Sequence, residues 1–174
     1  MFLNYFKNLF LKYTLRNKWR EVSSSVNSGT VKKVGLLIDA SVFVEKEKLI
    51  HELIAKGFDA KNLEILVYKD RLDKRETEVN GTFDLSVVDW KGTIYDARVN
   101  EFVQTKFDLL ISYYEIEKAI LLLITNNSKA NFKVGFSSID KRLHHLSITT
   151  PIQNYSIFVH ELFKYLKILN KIDF

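Results

Sequence analysis

From residue 31 onward, short apolar runs alternate with segments whose apolar residues recur at helical spacing. The run VGLLI at residues 34–38 has no polar side chain, which is typical of a strand covered on both faces of a sheet. The next segment repeats its apolar residues at helical spacing, and Gly57 stands where such a helix would end. The pattern predicts strands at 34–38, 63–68, 85–88, 107–112, 131–135 and 145–148. It predicts helices at 44–56, 117–125 and 156–169, and one more that opens at 93–96.

This alternation favours one parallel sheet with helices on both of its faces. A strand–helix–strand unit joins parallel strands by a right-handed crossover, and 174 residues suffice for one domain with a sizeable core. We therefore predict an α/β fold: a three-layer sandwich around a mostly parallel sheet of five to six strands. The last helix is expected to bury a stripe made of Ile157, Phe158, Leu162, Tyr165, Leu166 and Leu169.

The first residues predict an amphipathic helix in front of this domain. Its apolar side chains fall within one broad arc, and its polar side chains lie opposite. The arc holds Phe2, Leu3, Tyr5, Phe6, Leu9, Phe10 and Tyr13, and the polar side holds Asn4, Lys7, Asn8 and Lys12. A Ser-rich stretch follows at 23–29 and indicates a linker. The chain is thus expected to divide into a basic N-terminal helix with its linker, 1–28, and an α/β domain, 29–174.

Charge changes the interpretation of that N-terminal segment. The whole chain has a formal net charge of +5. Residues 1–33 hold seven basic residues and one acidic residue, a net +6, so the remainder is close to neutral at −1. Such an asymmetry suggests an anionic partner. The residues expected to contact it are Lys7, Lys12, Arg16, Lys18, Trp19 and Arg20.

Three interpretations of the N-terminal helix remain open. Its apolar face could pack on the protein's own domain, as in most soluble proteins. It could be an arm that binds RNA, with the ribosome as one candidate, because lysines meet phosphates and aromatic rings stack on bases. It could also lie in an anionic membrane surface, with aromatic rings at the acyl boundary. We expect a non-catalytic binding module that docks through residues 2–20, with RNA or the ribosome first and the membrane second.

A rival hypothesis places a ligand or substrate at the carboxyl edge of the sheet, where open α/β sheets bind their ligands. The residues expected in this crevice are Asp39, Ser41, Asp89, Ser112 and Gly135. A phosphatase of the Asp-x-Asp type would need a carboxylate at position 41, where this chain has serine. An Asx turn, or a cap for the following helix, explains Asp39 more simply. No catalytic residue is therefore assigned.

Several classes of function lose support from what the sequence lacks. There is no cysteine, which excludes disulfide partners, thiolate metal sites and a cysteine nucleophile. The turn after residue 39 is not rich in glycine, so it does not predict nucleotide binding, and the four histidines lack metal-ligand spacing. We expect no cofactor and no metal. The N-terminus does not have the pattern of a signal peptide, so we expect a cytoplasmic protein, at most peripheral to a membrane or ribosome.

Three motifs resemble a family of small Bacteroidota proteins that share a domain of unknown function. They are VGLLID at 34–39, FDLLI at 107–111 and SKANFKVG at 128–135. The resemblance covers most of residues 31–169, and it implies a small α/β fold without implying an activity. The FDLLI strand, the Leu-rich helix and the strand at 130–136 are also similar in order to the N-terminal half of heptosyltransferase-like glycosyltransferases. That likeness points to the fold, because the half that binds the sugar nucleotide is missing.

Overall fold

The computed structural model describes residues 7–13, 22, 29–72 and 81–174, which form six strands and five α-helices. The strands are β1 (Val34–Asp39), β2 (Leu63–Tyr68), β3 (Thr82–Phe83), β4 (Leu109–Tyr113), β5 (Phe132–Phe136) and β6 (Leu146–Ile148). The helices are α1 (residues 7–13), α2 (Lys46–Ala55), α3 (Ala97–Gln104), α4 (Ala119–Asn127) and α5 (Tyr155–Ile168). All strand pairs are parallel, in the order β3-β2-β1-β4-β5-β6. The predicted α/β fold is confirmed.

The strand order shows why the helices cover both faces. From β1 the chain moves outward through α2 to β2, and from β4 it moves outward in the other direction through α4 to β5. Right-handed crossovers in opposite directions place their helices on opposite faces. α2 accordingly contacts α5, and α3 contacts α4. β1 and β4 are neighbours at the point where the direction reverses, which is where ligands bind in doubly wound sheets.

Large aromatic rings fill the core between the sheet and the layer formed by α2 and α5. The Tyr113 ring centroid lies 4.8 Å from that of Phe43, 5.1 Å from that of Phe136 and 5.0 Å from that of Phe158. The Tyr113 hydroxyl donates a hydrogen bond to the Ile152 carbonyl at 2.6 Å, so its one polar atom is satisfied inside the core. This packing fixes the carboxyl end of β4 beside that of β1.

Two predictions about individual elements were wrong. The third strand is Thr82–Phe83, whereas Leu85–Val87, which we expected to be a strand, forms a turn of 3₁₀-helix. The Asp84 carboxylate accepts a hydrogen bond from the Ser86 amide at 2.8 Å and thereby caps this turn. The second error concerns the buried stripe of α5. Ile157, Tyr165 and Leu169 are exposed, and the buried residues are Phe158, Val159, Leu162, Phe163 and Leu166.

Candidate functional site

Asp39, the last residue of β1, is only 1% exposed and anchors a cluster of polar side chains at the carboxyl edge of the sheet. Its Oδ2 lies 2.8 Å from Nζ of Lys118, the residue that precedes α4. Its Oδ1 accepts a hydrogen bond from the Ser41 amide at 3.0 Å. This last contact is the Asx turn expected from the sequence. The ion pair thus joins the end of β1 to the start of α4, beside the point where the strand order reverses.

Asp70 completes the cluster from the end of β2. Its two carboxylate oxygens both lie 2.9 Å from Lys118 Nζ, and the Tyr68 hydroxyl donates to Oδ1 at 3.0 Å. The Asp70 amide donates to Ser41 Oγ at 2.7 Å. Burial raises the pKa of Tyr68, and the negative charge of Asp70 raises it further, so this phenol stays a donor. We call Asp39, Ser41, Tyr68, Asp70 and Lys118 the edge cluster.

The geometry of the edge cluster favours a structural role, in which its ion pairs hold neighbouring segments together, over a reactive centre. Lys118 is nearly buried between two carboxylates, and Asp39 is closed to solvent. A nucleophile or general base must reach a substrate, and in this arrangement only Ser41 and Asp70 are exposed to one. Across the described ranges, no group of three or more histidine, aspartate or glutamate side chains could hold a metal ion.

The structure does not bring the other predicted crevice residues to the edge cluster. Asp89 holds its own turn, because its Oδ1 accepts from the Lys91 and Thr93 amides and its Oδ2 from the Tyr95 hydroxyl. These hydrogen bonds, first the one from Thr93, lower the pKa of Asp89. Ser112 is fully buried, with Oγ 3.2 Å from Thr125 Oγ1 of α4.

Gly135, the remaining predicted crevice residue, lies inside β5 and packs against the buried ring of His144. A methyl group at Gly135 would overlap that ring, so the glycine is needed for close packing. The neighbouring Lys133 side chain donates to the Thr125 carbonyl at 2.7 Å and the Asn126 carbonyl at 3.3 Å, at the end of α4. Burial lowers the pKa of Lys133 to about 8. Close packing therefore explains Gly135 in the SKANFKVG motif, and hydrogen bonds to the end of α4 explain Lys133.

α1 lies across the carboxyl edge, between the start of α4 and the loop at 84–96. Asn8 Oδ1 accepts a hydrogen bond from the Ala119 amide, the first of α4, at 2.7 Å. Lys12 Nζ lies 2.9 Å from a Glu117 carboxylate oxygen, and Lys7 Nζ donates to the Leu85 carbonyl at 3.1 Å. Leu11 is buried between these polar contacts. Two of the six predicted partner-binding residues thus contact the protein itself, and Arg16, Lys18, Trp19 and Arg20 lie outside the described residues.

The orientation of α1 is the reverse of the usual one. The side that packs on the domain holds Lys7, Asn8 and Lys12 of the predicted polar side together with Leu11, whereas Leu9 and Tyr13 of the apolar arc point away from the domain. Leu9 is 55% exposed and Tyr13 is 72% exposed. Phe10 is 53% exposed and makes an edge contact with Trp90, with ring centroids 6.4 Å apart. Over residues 7–13, α1 therefore contacts the protein's own domain, as the first of the three interpretations held, but not through Leu9 and Tyr13 of its apolar face.

The Asn8→Ala variant tests this docking in solution. We expect it to lower the free energy of unfolding by about 1 kcal/mol, because the amide at the start of α4 loses its capping acceptor. Asn8→Asp is the matched control, since it keeps an acceptor and places a negative charge at a helix N-terminus. Urea denaturation of both variants makes the measurement. Stabilities equal to the wild type in both variants would mean that α1 does not cap α4.

The comparisons with known proteins, like the fold, do not indicate an activity. No curated protein and no solved structure matches the chain. None of the described helices has the length and apolar character needed to cross a membrane. Residues 7–169, from the start of α1 into the end of α5, match the profile of a family of unknown function, DUF6913. Because the match covers most of its length, the chain belongs to the DUF6913 family.

Proposed function

We propose that the protein is a non-catalytic binding module that docks on an anionic membrane surface through α1 and the basic segment around it. The observation that carries this proposal is the exposure of Leu9 and Tyr13, two members of the apolar arc that lie within the described residues 7–13. A surface helix ordinarily buries its apolar side, whereas α1, over residues 7–13, turns Asn8 and Lys12 towards the domain together with Leu11. Leu9 and Tyr13 are therefore available to another apolar environment.

Charge complementarity selects the membrane as that environment. Residues 1–33, which include α1, carry a net charge of +6. An interfacial helix combines outward apolar side chains with nearby lysines and arginines that meet anionic headgroups. RNA, the partner ranked first from sequence alone, fits this face less well. Leu9 has no ring to stack on a base, whereas an apolar side chain of this kind can enter the membrane interface.

Vesicle binding by the full chain tests the proposal. We expect it to sediment with vesicles of phosphatidylcholine and phosphatidylserine, and to bind vesicles of phosphatidylcholine alone much more weakly. Leu9→Ser with Tyr13→Ser should lower the partition coefficient by about tenfold or more, because two apolar side chains no longer enter the interface. Ile168→Ser, an exposed apolar residue at the end of α5, is the matched control and should bind as the wild type does.

RNA is the alternative outcome of the same experiment. The wild type and the Leu9→Ser, Tyr13→Ser variant are both titrated with single-stranded RNA over a range of salt concentrations. Salt-sensitive RNA binding that both proteins share, together with no vesicle binding, would overturn the membrane proposal in favour of RNA.

A further inference from the structure

We infer that the whole carboxyl edge of the sheet faces the membrane, with the loops of Trp90 and Ile116 as contacts in addition to α1. This inference rests on the proposed function and extends it from a single helix to an orientation of the domain. It also assigns a membrane-contacting role to residues outside the basic segment.

Exposed apolar side chains gather at this edge. Trp90 is 44% exposed and Ile116 is 49% exposed, and each lies in a loop that leaves the carboxyl end of a strand, β3 or β4. Because all six strands are parallel, these loops emerge on the same side of the molecule. We call this set of exposed side chains the edge patch: Leu9, Tyr13, Trp90 and Ile116.

Direct contacts tie α1 to the two loops that carry Trp90 and Ile116. Phe10 of α1 touches Trp90, which ties the 84–96 loop to the helix. Lys12 binds Glu117, the neighbour of Ile116, and Asn8 binds the amide of Ala119. α1 therefore cannot approach a membrane in this docked position without bringing both loops close to it.

The Trp90 turn is held rigidly, which favours insertion. Asp89 accepts hydrogen bonds from the Lys91 and Thr93 amides, both at 2.8 Å, and from the Tyr95 hydroxyl at 2.9 Å. The turn therefore needs little further ordering when it binds. Tryptophan and tyrosine side chains favour the boundary between headgroups and acyl chains, and the exposed Lys91 beside Trp90 suits a lipid phosphate.

This orientation of the domain also predicts which exposed side chains of the edge cluster face the membrane. Ser41 and Asp70 are its exposed members, and they follow β1 and β2 at the same edge. With the edge patch on the membrane, these two side chains face the headgroup layer. The opposite end of the sheet has exposed apolar residues as well, including Ile168 near the end of α5, and they provide internal controls.

Trp90 is a built-in reporter of the orientation. The chain has two tryptophans, so Trp19→Phe leaves Trp90 as the single fluorophore. Phenylalanine keeps an aromatic ring at position 19, and the vesicle concentration is raised until sedimentation shows that the variant is as fully bound as the wild type. On vesicles of phosphatidylcholine and phosphatidylserine, we expect the Trp90 emission to shift to the blue and to be quenched by brominated acyl chains. If the variant sediments with the vesicles and its emission does not change, the inference is overturned and the proposed function stands. If neither this variant nor the wild type sediments, the proposed function fails and the inference fails with it.

A substitution that leaves the Phe10–Trp90 contact in place gives the second measurement. Ile116→Ser should weaken vesicle binding by about fivefold, because one half-exposed apolar side chain no longer enters the interface. Ile168→Ser should bind like the wild type. Equal vesicle binding by the wild type and Ile116→Ser would show that α1 docks without the loops.

Discussion

Lys118→Met is expected to lower the free energy of unfolding by about 3–5 kcal/mol, the largest effect of any single substitution that we predict. The Asp39 carboxylate is buried, and the Lys118 ammonium 2.8 Å away is its counter-charge. Methionine keeps most of the volume of the side chain but leaves that carboxylate inside the protein with no cation. The cost therefore comes from an uncompensated buried charge and not from a cavity.

Urea denaturation followed by circular dichroism measures this loss, and two variants identify its cause. Asp70→Asn removes the partner of Lys118 that is 58% exposed, so it should cost less than about 1 kcal/mol. The double variant Asp39→Asn, Lys118→Met removes both buried charges and should regain a large part of the loss. A cost for Lys118→Met as small as that for Asp70→Asn would mean that Asp39 does not depend on this ion pair.

The fold could be predicted because its central strands are buried on both faces. β1 and β4 are fully buried and mainly apolar, with helices above and below, and such apolar runs are the clearest strand signal in a sequence. β3 could not be found in this way, since it has only two residues and pairs with only the last two residues of β2. The segment that follows β3, Leu85–Val87, is more apolar, but it forms a 3₁₀ turn because Asp84 caps it.

The orientation of α1 could not be read from periodicity. The predicted sides of the helix do not decide which one docks, because that depends on acceptors and donors remote in sequence. Asn8 accepts a hydrogen bond from the first amide of α4, and Lys12 forms an ion pair with Glu117. Each partner lies more than a hundred residues away in the sequence. One buried leucine, Leu11, among polar residues gives no periodic signal.

The candidate site was predicted in part, for a related reason. Asp39 and Ser41 were found because the end of a central strand in an α/β sheet is a known position for functional residues. Ser112 was expected at the strand end, but β4 continues through Tyr113, and the Ser112 side chain turns towards α4. Lys118 and Asp70 were missed, since only the tertiary structure shows that residues 39, 70 and 118 meet.

His144 should make the protein less stable in mild acid, the second large effect that we predict. Neither of its ring nitrogens has a hydrogen-bond partner among the described residues. Burial, with a smaller contribution from the positive charge of Lys133, lowers the pKa of His144 to about 3. In the unfolded chain its pKa is about 6.5. Between these two pKa values the unfolded state binds a proton at His144 and the native state does not. The contribution of neutral His144 to the free energy of unfolding is therefore complete above about pH 6.5 and is lost as the pH falls towards 3.

At pH 5 the loss from this one group should be about 2 kcal/mol relative to pH 7.5. Lys133, whose pKa is about 8, stays charged in both states for most of this interval and adds little to the slope. His144→Gln, which does not titrate, should therefore show a weaker dependence of the free energy of unfolding on pH than the wild type. His160→Gln makes the same replacement at an exposed position and is the matched control for the change of residue type. If His144→Gln and the wild type lose stability in parallel between pH 7.5 and pH 5, His144 is accessible to protons in the native state, and its contact with Gly135 is looser than the structure shows.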